Sequence, residues 1–335
     1  ALADNPQLAV AQYRSFGDLP DILAAHDLAV PRIAAAEQAA LPWSFAQNLQ
    51  KKLPDTRFSS GDTVLAQARA HKTPYEIAVM RESCARQTRA MEEILPQNIQ
   101  AGMTEFAIAC KLSDIFYSLG SCGLNRMANY GAELIFGSCS VGDNANYPTF
   151  YDGPVGALGV HPSSAFLGSA QTVWEKSTLL IIDTALCYRG YNSDQTICYY
   201  AGTRDTMPDK AKMAHAACME IEETIARDLQ PGALPFELYQ KAQQMARKAG
   251  IEEGFMGLGG NKVSFLGHGI GLCVDEWPVL APGFNKPLEA GMTIAIEPKV
   301  GIPGFGMVGT ENTWLVKENG AECLTGGIRD IFYMP

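Results

Sequence analysis

The run STLLIIDTALCYRGYNSDQTICYY, residues 177–200, reads as two strands around a turn. Ser177 to Asp183 is apolar and β-rich, Tyr188-Arg189-Gly190 offers the turn, and Tyr191 to Tyr200 returns. A second run, MTIAIEPKVGIPGFGMVGTENTWLV at 292–316, has the same form. Met292 to Glu297 leads out, Ile302-Pro303-Gly304-Phe305-Gly306 turns, and Met307 to Val316 comes back. Each hairpin carries two acids. A turn centred between Tyr188 and Arg189 predicts Asp183 directly opposite Asp194, and one centred on Gly304 predicts Glu297 opposite Glu311. Opposed side chains share a face with Cβ atoms about 4.5–5.5 Å apart, where like charges destabilise a sheet. Leu180, Ile181, Ile182, Ile294 and Ile296 flank these acids and argue for burial. A buried carboxylate without a partner is costly or takes up a proton, and a bound cation resolves the conflict. Four surface acids on polar strand faces would leave both opposed pairs unexplained.

A fifth donor is His268, in Phe265-Leu266-Gly267-His268-Gly269-Ile270-Gly271, where glycines let backbone approach closely. Four carboxylates and one imidazole make a mostly hard donor set. It suits two divalent ions, Mn, Co or Fe ahead of Zn, and contains no thiolate of the kind that marks structural zinc. Two ions about 3.5–4 Å apart can activate water and polarise a carbonyl, so the predicted chemistry is amide hydrolysis.

Working outward, Thr73-Pro74 followed by Glu76 opens a long helix with Ile77, Met80, Cys84, Met91, Ile94 and Leu95 on its apolar side. Thr104 starts a second helix, carrying Phe106, Ala109, Leu112 and Phe116, that stops at Gly120. Met213, Ala217, Ile221, Ile225 and Leu229 form a later stripe at steps of four, broken by Gln230-Pro231-Gly232, and another helix runs from about Pro235 to Gly250. A shift of 130 positions brings Glu92 onto Glu222, Glu93 onto Glu223, Gln100 onto Gln230 and Gly102 onto Gly232. The same shift brings Phe106 onto Phe236, Lys111 onto Lys241, Gly120 onto Gly250 and Gly137 onto Gly267. This single register predicts a duplicated unit of helix pair plus strands; two copies are too few for a solenoid. Residues 1–66 read as the remnant of a small α/β unit, with a short helix around Ile22 to Ala25 and Pro31, Pro42 and Pro54 as punctuation. His26 has no acidic or histidine partner at helical spacing there.

Composition bounds the rest. With 335 residues, 47% apolar and 19% charged, the chain can bury a large core in two domains. Its 36 acids against 26 bases give a net charge of −10, which argues against nucleic acid and anionic membrane surfaces as partners. No apolar run approaches the ~20 residues of a membrane span, and no signal segment opens the chain. Nine cysteines, none paired two residues apart, read as reduced core thiols of a cytoplasmic protein. The start at Ala1 rather than methionine predicts trimming or a missing beginning.

The runs Ile182-Asp183, Gly190-Tyr191-Asn192-Ser193-Asp194, Gly267-His268-Gly269-Ile270-Gly271, Ile296-Glu297-Pro298 and Gly309-Thr310-Glu311-Asn312-Thr313 together resemble the pita-bread metallopeptidase family. That family includes methionine aminopeptidase, aminopeptidase P, prolidase and, without metal, creatinase. The resemblance covers about residues 70–330, and Arg69 to Glu76 resembles the opening of that domain. It implies an α+β pita-bread fold of two pseudo-symmetric halves, antiparallel sheet flanked by helices, over 69–335. Residues 1–68 are similar to the end of the smaller domain of the prolidase and aminopeptidase P branch. By motif position it implies Asp183, Asp194, His268, Glu297 and Glu311 as ligands of a dinuclear centre. Asp194 and Glu311 would bridge, and Glu297 would take the proton of the attacking water. It further implies a homodimer that cleaves a peptide bond near a peptide N-terminus, often before proline.

The sequence departs from the prolidase pattern at two histidines expected to bind substrate oxygen and shuttle protons. One is replaced by Thr149, after Gly142-Asp143-Asn144-Ala145-Asn146-Tyr147-Pro148. The other is replaced by Asp275, ahead of Glu276-Trp277-Pro278. Slow or narrow peptidase activity is therefore expected, with Tyr147, Thr149 and Asp275 filling part of the role, His161 as a replacement and Tyr191 as a substrate contact. His71 and His215 read as surface residues. The alternatives are a metal-dependent hydrolase or lyase of a small non-peptide substrate, and a weakly catalytic binding scaffold, which the five intact ligands oppose.

Overall fold

A computed structural model describes residues 10–129, 132–149, 152–161, 167–327 and 330–335. The chain forms two compact units, one ending at Ala66 and one from Gln67 to Pro335. The first holds α1 (Leu19–Ala25), β1 (Ile33–Ala36), α2 (Trp43–Lys52) and β2 (Arg57–Ser60). β1 and β2 pair in parallel, Ile33 beside Arg57. Parallel neighbours need a crossover, which α2 supplies, so this is the small α/β unit expected. α3 (Asp62–Ala70) follows.

In the second unit α4 (Pro74–Thr88) begins at a capping box. The Thr73 hydroxyl accepts from the Glu76 amide at 3.3 Å, and the Glu76 carboxylate accepts from the Thr73 amide at 2.7 Å. A π-helical turn, Arg89–Ile94, prolongs it. α5 (Glu105–Ser118) is capped by Thr104. Then come β3 (Asn125–Arg126), β4 (Glu133–Leu134), β5 (Gly137–Val141), β6 (Leu179–Tyr188) and β7 (Tyr191–Tyr200). The second half repeats the plan with α6 (Asp209–Asp228), α7 (Pro235–Lys248), β8 (Gly267–Gly269), β9 (Glu276–Val279) and β10 (Thr293–Ile296). It closes with β11 (Lys299–Ile302), β12 (Gly306–Gly309), β13 (Asn312–Lys317), β14 (Gly320–Cys323) and β15 (Phe332–Tyr333). The sheet orders are β15-β7-β6-β5, β14-β13-β10-β8-β9 and a β11-β12 ribbon. Among the described residues no helix is long and apolar enough to cross a membrane.

The duplication is visible in the backbone. Shifted by 130, α5 falls on α7 residue for residue. Gly102 and Gly232 share φ values of 97° and 91°, and Gly120 and Gly250 share 84° and 70°. Gly137 opens β5 and Gly267 opens β8. A Cβ at Gly137 would sit 2.2 Å from the Asp183 carbonyl oxygen, and one at Gly267 would sit 2.1 Å from that of Ala295. Each glycine therefore lets its strand press against the strand that carries or precedes a site acid.

The alternation of β6 sorts its side chains between two cores. Leu180, Ile182 and Leu186 pack with Leu112 and Phe116 of α5, while Leu179 and Ile181 pack in the core that includes Ile221 and Ile225 of α6. Asp183 continues the second face. Its partner differs from the expected one: Asp183 faces Thr196, and Asp194 faces Ala185. The turn is centred one residue later, because Arg189 and Gly190 both adopt left-handed φ, 50° and 86°, in a tight two-residue connection. Asp183 and Asp194 are thus diagonal neighbours on one face rather than an opposed pair.

The other hairpin keeps its register. Ile302 faces Gly306, Lys299 faces Gly309, and Ile296 faces Asn312. It is divided between two sheets, and Glu297 and Glu311 stand at the division. A second correction concerns His215, which lies buried on α6, 2% exposed, rather than at the surface.

Candidate metal centre

The paired strands bring Asp183 of β6, Asp194 of β7, His268 of β8, Glu297 after β10 and Glu311 before β13 into one cluster. Donor atoms of Asp194, His268 and Glu311 lie within 4.8 Å of one another, and so do those of Asp183, Glu297 and Glu311. The two halves are stitched here: the Thr196 amide donates to the Glu311 carbonyl at 3.3 Å, and the Thr196 hydroxyl to its carboxylate at 2.7 Å. His268 Nδ1 is 3.1 Å from the Gly269 carbonyl oxygen. A carbonyl only accepts, so Nδ1 carries a proton, and Nε2 is the nitrogen that faces the acids. Nε2 lies 3.4 Å from Glu297 Oε1.

One member was not expected. The Lys299 side chain is fully buried, and its Nζ donates to Glu297 at 2.7 Å, Glu311 at 2.8 Å and Asp183 at 3.1 Å. The sequence signal was its place two residues beyond Glu297, a spacing that in extended chain brings side chains to one side.

The electrostatics follow from too much negative charge in a dry place. Burial, then the charge of Asp183, pushes Asp194 up to about 8. Burial and the neighbouring acids push Glu311 up well beyond the usual carboxylate range. Burial would lower His268, but its bond to Glu297 and the surrounding acids push it up to about 9. Burial would raise Glu297, yet Lys299 and His268 hold it below its ordinary value. Lys299 resists burial through the charges of Asp183, Glu297 and Glu311, which hold it strongly protonated.

The donor set tests what the cluster can hold. Asp194, His268 and Glu311 offer two carboxylates and an imidazole, all buried, and among the described residues the Asp194 carboxylate accepts no hydrogen bond. That set fits a divalent cation. The Asp183–Glu297–Glu311 set already holds an ammonium. Both open into a cavity of about 170 Å³ whose wall includes Phe265, Val274, Val279 and Leu134, with Asp152 and Asp275 as the charged wall residues outside the cluster.

Of the other expected residues, Asp275 faces this cavity and its carboxylate accepts from the Ala128 amide at 2.6 Å. Thr149, whose amide donates to the Asn261 side chain at 3.4 Å, is not among the cavity-lining residues. Neither is the exposed His161, and Pro162 beside it falls outside the described residues. Tyr147 is 52% exposed and also outside the lining. Tyr191 also lies off the wall: its hydroxyl donates to Glu76 at 2.8 Å. His71 is exposed and pairs with Glu289 at 3.3 Å. All nine cysteines are free thiols, and none belongs to the cluster.

Comparison with known proteins agrees with this architecture. Residues 78–318 match the family model for Metallopeptidase family M24, and residues 1–71 that for the Creatinase/Prolidase N-terminal domain. A relative named Xaa-Pro dipeptidase, from Pyrococcus furiosus, is 26% identical over 329 residues, covering 98% of this chain and 82% of the relative. The crystal structure of an X-Pro aminopeptidase from Thermotoga maritima superposes with a TM-score of 0.77 at 24% identity, covering 97% of this chain and 81% of that one. The prolidase from Pyrococcus furiosus gives 0.77 at 24%, covering 98% and 84%. These likenesses show the pita-bread fold.

Proposed function

This chain belongs to metallopeptidase family M24, and from that premise we propose that it hydrolyses Xaa-Pro dipeptides. The observation that carries the reading is the cluster of four carboxylates and His268 at the floor of a small cavity whose walls are mostly apolar. A pyrrolidine ring fits beside Phe265, Val274 and Val279, and the carboxylates of Asp152 and Asp275 suit a substrate α-ammonium. The relatives named Xaa-Pro dipeptidase support the same choice. A divalent ion, Mn, Co or Fe ahead of Zn, would be held by Asp194, His268 and Glu311 and would supply Lewis acidity to polarise a substrate carbonyl.

Around it the chain's own residues divide the work. Glu297, held ionised beside Lys299, accepts a proton at its carboxylate. Thr196 and the Gly269 carbonyl fix Glu311 and His268 in place. The buried strands keep bulk water from the far side. In this reading residues 69–335 are the catalytic domain and 1–68 a partial creatinase/prolidase-like domain. A cytoplasmic homodimer belongs to it too: free thiols suit a reducing compartment, and light scattering gives the mass.

The test is a panel of Xaa-Pro and proline-free dipeptides offered to protein stripped of metal and then reloaded with Mn or Co. Metal-dependent turnover confined largely to Xaa-Pro supports the proposal; no turnover of any dipeptide contradicts it. Asp275→Asn keeps the bond to Ala128 and removes the charge. A hydrogen bond to a charged group is worth about 1.5–3 kcal/mol, so KM should rise roughly tenfold or more with kcat little changed. An unchanged KM places the α-ammonium elsewhere.

A further inference from the structure

Lys299 is placed where a second cation would stand. Its ammonium is bonded to Asp183, Glu297 and Glu311, one of the two donor sets of the cluster, with all three contacts between 2.7 and 3.1 Å. A divalent ion shared by those oxygens would lie about 2.0–2.6 Å from each, inside the space that Nζ fills. The two cannot be there together.

The lysine is also built in by its neighbours. It begins β11 directly opposite Gly309 of β12. A Cβ at Gly309 would come within 2.7 Å of the Lys299 Cγ and 2.5 Å of the Pro298 carbonyl oxygen. The bare glycine is what allows the lysine stem to lie across the ribbon and reach the acids. The ladder puts Gly309 directly opposite Lys299, and the three contacts of the ammonium place its side chain on the same side as Asp183, Glu297 and Glu311. The stem has no exposed surface.

We propose that this protein binds a single divalent ion, at Asp194, His268 and Glu311, and that the Lys299 ammonium takes the place of a second ion between Asp183, Glu297 and Glu311. The proposal rests on the metallopeptidase reading and narrows the expected two-ion centre to one ion plus a fixed organic cation. Lys299 is a positioning residue: it holds the Glu297 and Asp183 carboxylates together without contacting substrate.

The test counts metal. Full-length protein is stripped with chelator, reloaded with Mn and dialysed; bound Mn per chain is measured by mass spectrometry and its environment by electron paramagnetic resonance. The expected result is one Mn per chain in the wild type with the spectrum of an isolated ion. Lys299→Ala should take up a second Mn and give the spectrum of an exchange-coupled pair. Two coupled ions in the wild type overturn the proposal and leave the metallopeptidase reading standing. A variant that folds yet stays at one ion overturns the lysine's part. No ion in the wild type overturns the proposal together with the reading beneath it. Should Lys299→Ala fail to fold, Lys299→Ser is the second variant, and the wild-type count alone still decides between one ion and two.

Discussion

Glu297→Gln is expected to lower kcat on an Xaa-Pro dipeptide by about 10²–10⁴-fold, the usual worth of a positioned general base, with KM changed far less. Glutamine keeps the length and shape of the side chain, so it can still receive a hydrogen bond from Lys299. What it loses is the ability to take a proton. Glu297 is suited to that role by place: it lines the cavity, sits 3.4 Å from His268, and its carboxylate is kept ionised by the adjacent ammonium. Metal content must be measured on the same preparation, because Glu297 also borders the cation cluster. Turnover near the wild-type value with metal content unchanged moves the base elsewhere.

The second large effect is on stability. Lys72 and Glu276 form a buried ion pair at 2.9 Å, their side chains 1% and 4% exposed. Glu276 also accepts from the Cys273 amide at 3.0 Å. Burial lowers the Lys72 pKa against the pull of Glu276. Lys72→Ala leaves that carboxylate buried without its cation, which costs about 3–5 kcal/mol when one partner of such a pair is removed. Denaturant unfolding should show the midpoint falling accordingly. The double replacement Lys72→Met with Glu276→Gln should recover much of the loss, since it removes both charges. Because Glu276 adjoins Asp275, Lys72→Ala should also loosen the cavity wall and raise KM. A midpoint shift worth less than about 1 kcal/mol would mean that water or another group meets the freed carboxylate.

Much of this was legible in the chain because strand and helix periods are rigid rules. The two hairpins, the capping box at Thr73 and the 130-residue duplication all follow from local patterns that the tertiary structure does not override. The acids were readable as sharing a face even though the Asp183–Asp194 register was not, since a turn moved by one residue shifts partners by two and leaves the face unchanged. What fixed the turn was left-handed Arg189, a conformation that arginine does not advertise. The stripe from Met213 failed at its start, Met213 being 71% exposed. Steps of four run ahead of the 3.6-residue turn, so the stripe starts outside the buried face and enters it only at Ile221, with Ile225 and Leu229 buried after it. The face that packs holds Ala211, Ala214, His215, Cys218 and Glu222, which is why His215 is inside. Composition does not mark Lys299, because a lysine is ordinarily solvated; only its spacing from Glu297 and its position opposite Gly309 single it out.

The central claim is that Asp194 belongs to a cation site on which activity depends. The most direct measurement is the melting temperature of stripped wild type and Asp194→Ala, each with and without added Mn or Co, alongside bound metal and Xaa-Pro turnover. A ligand that binds only the folded state raises stability by mass action, about 2.7 kcal/mol at a hundredfold excess over Kd. The wild type should gain several degrees, bound metal and turnover together; Asp194→Ala should gain none of the three. An equal rise in melting temperature and equal metal content in Asp194→Ala would contradict the account.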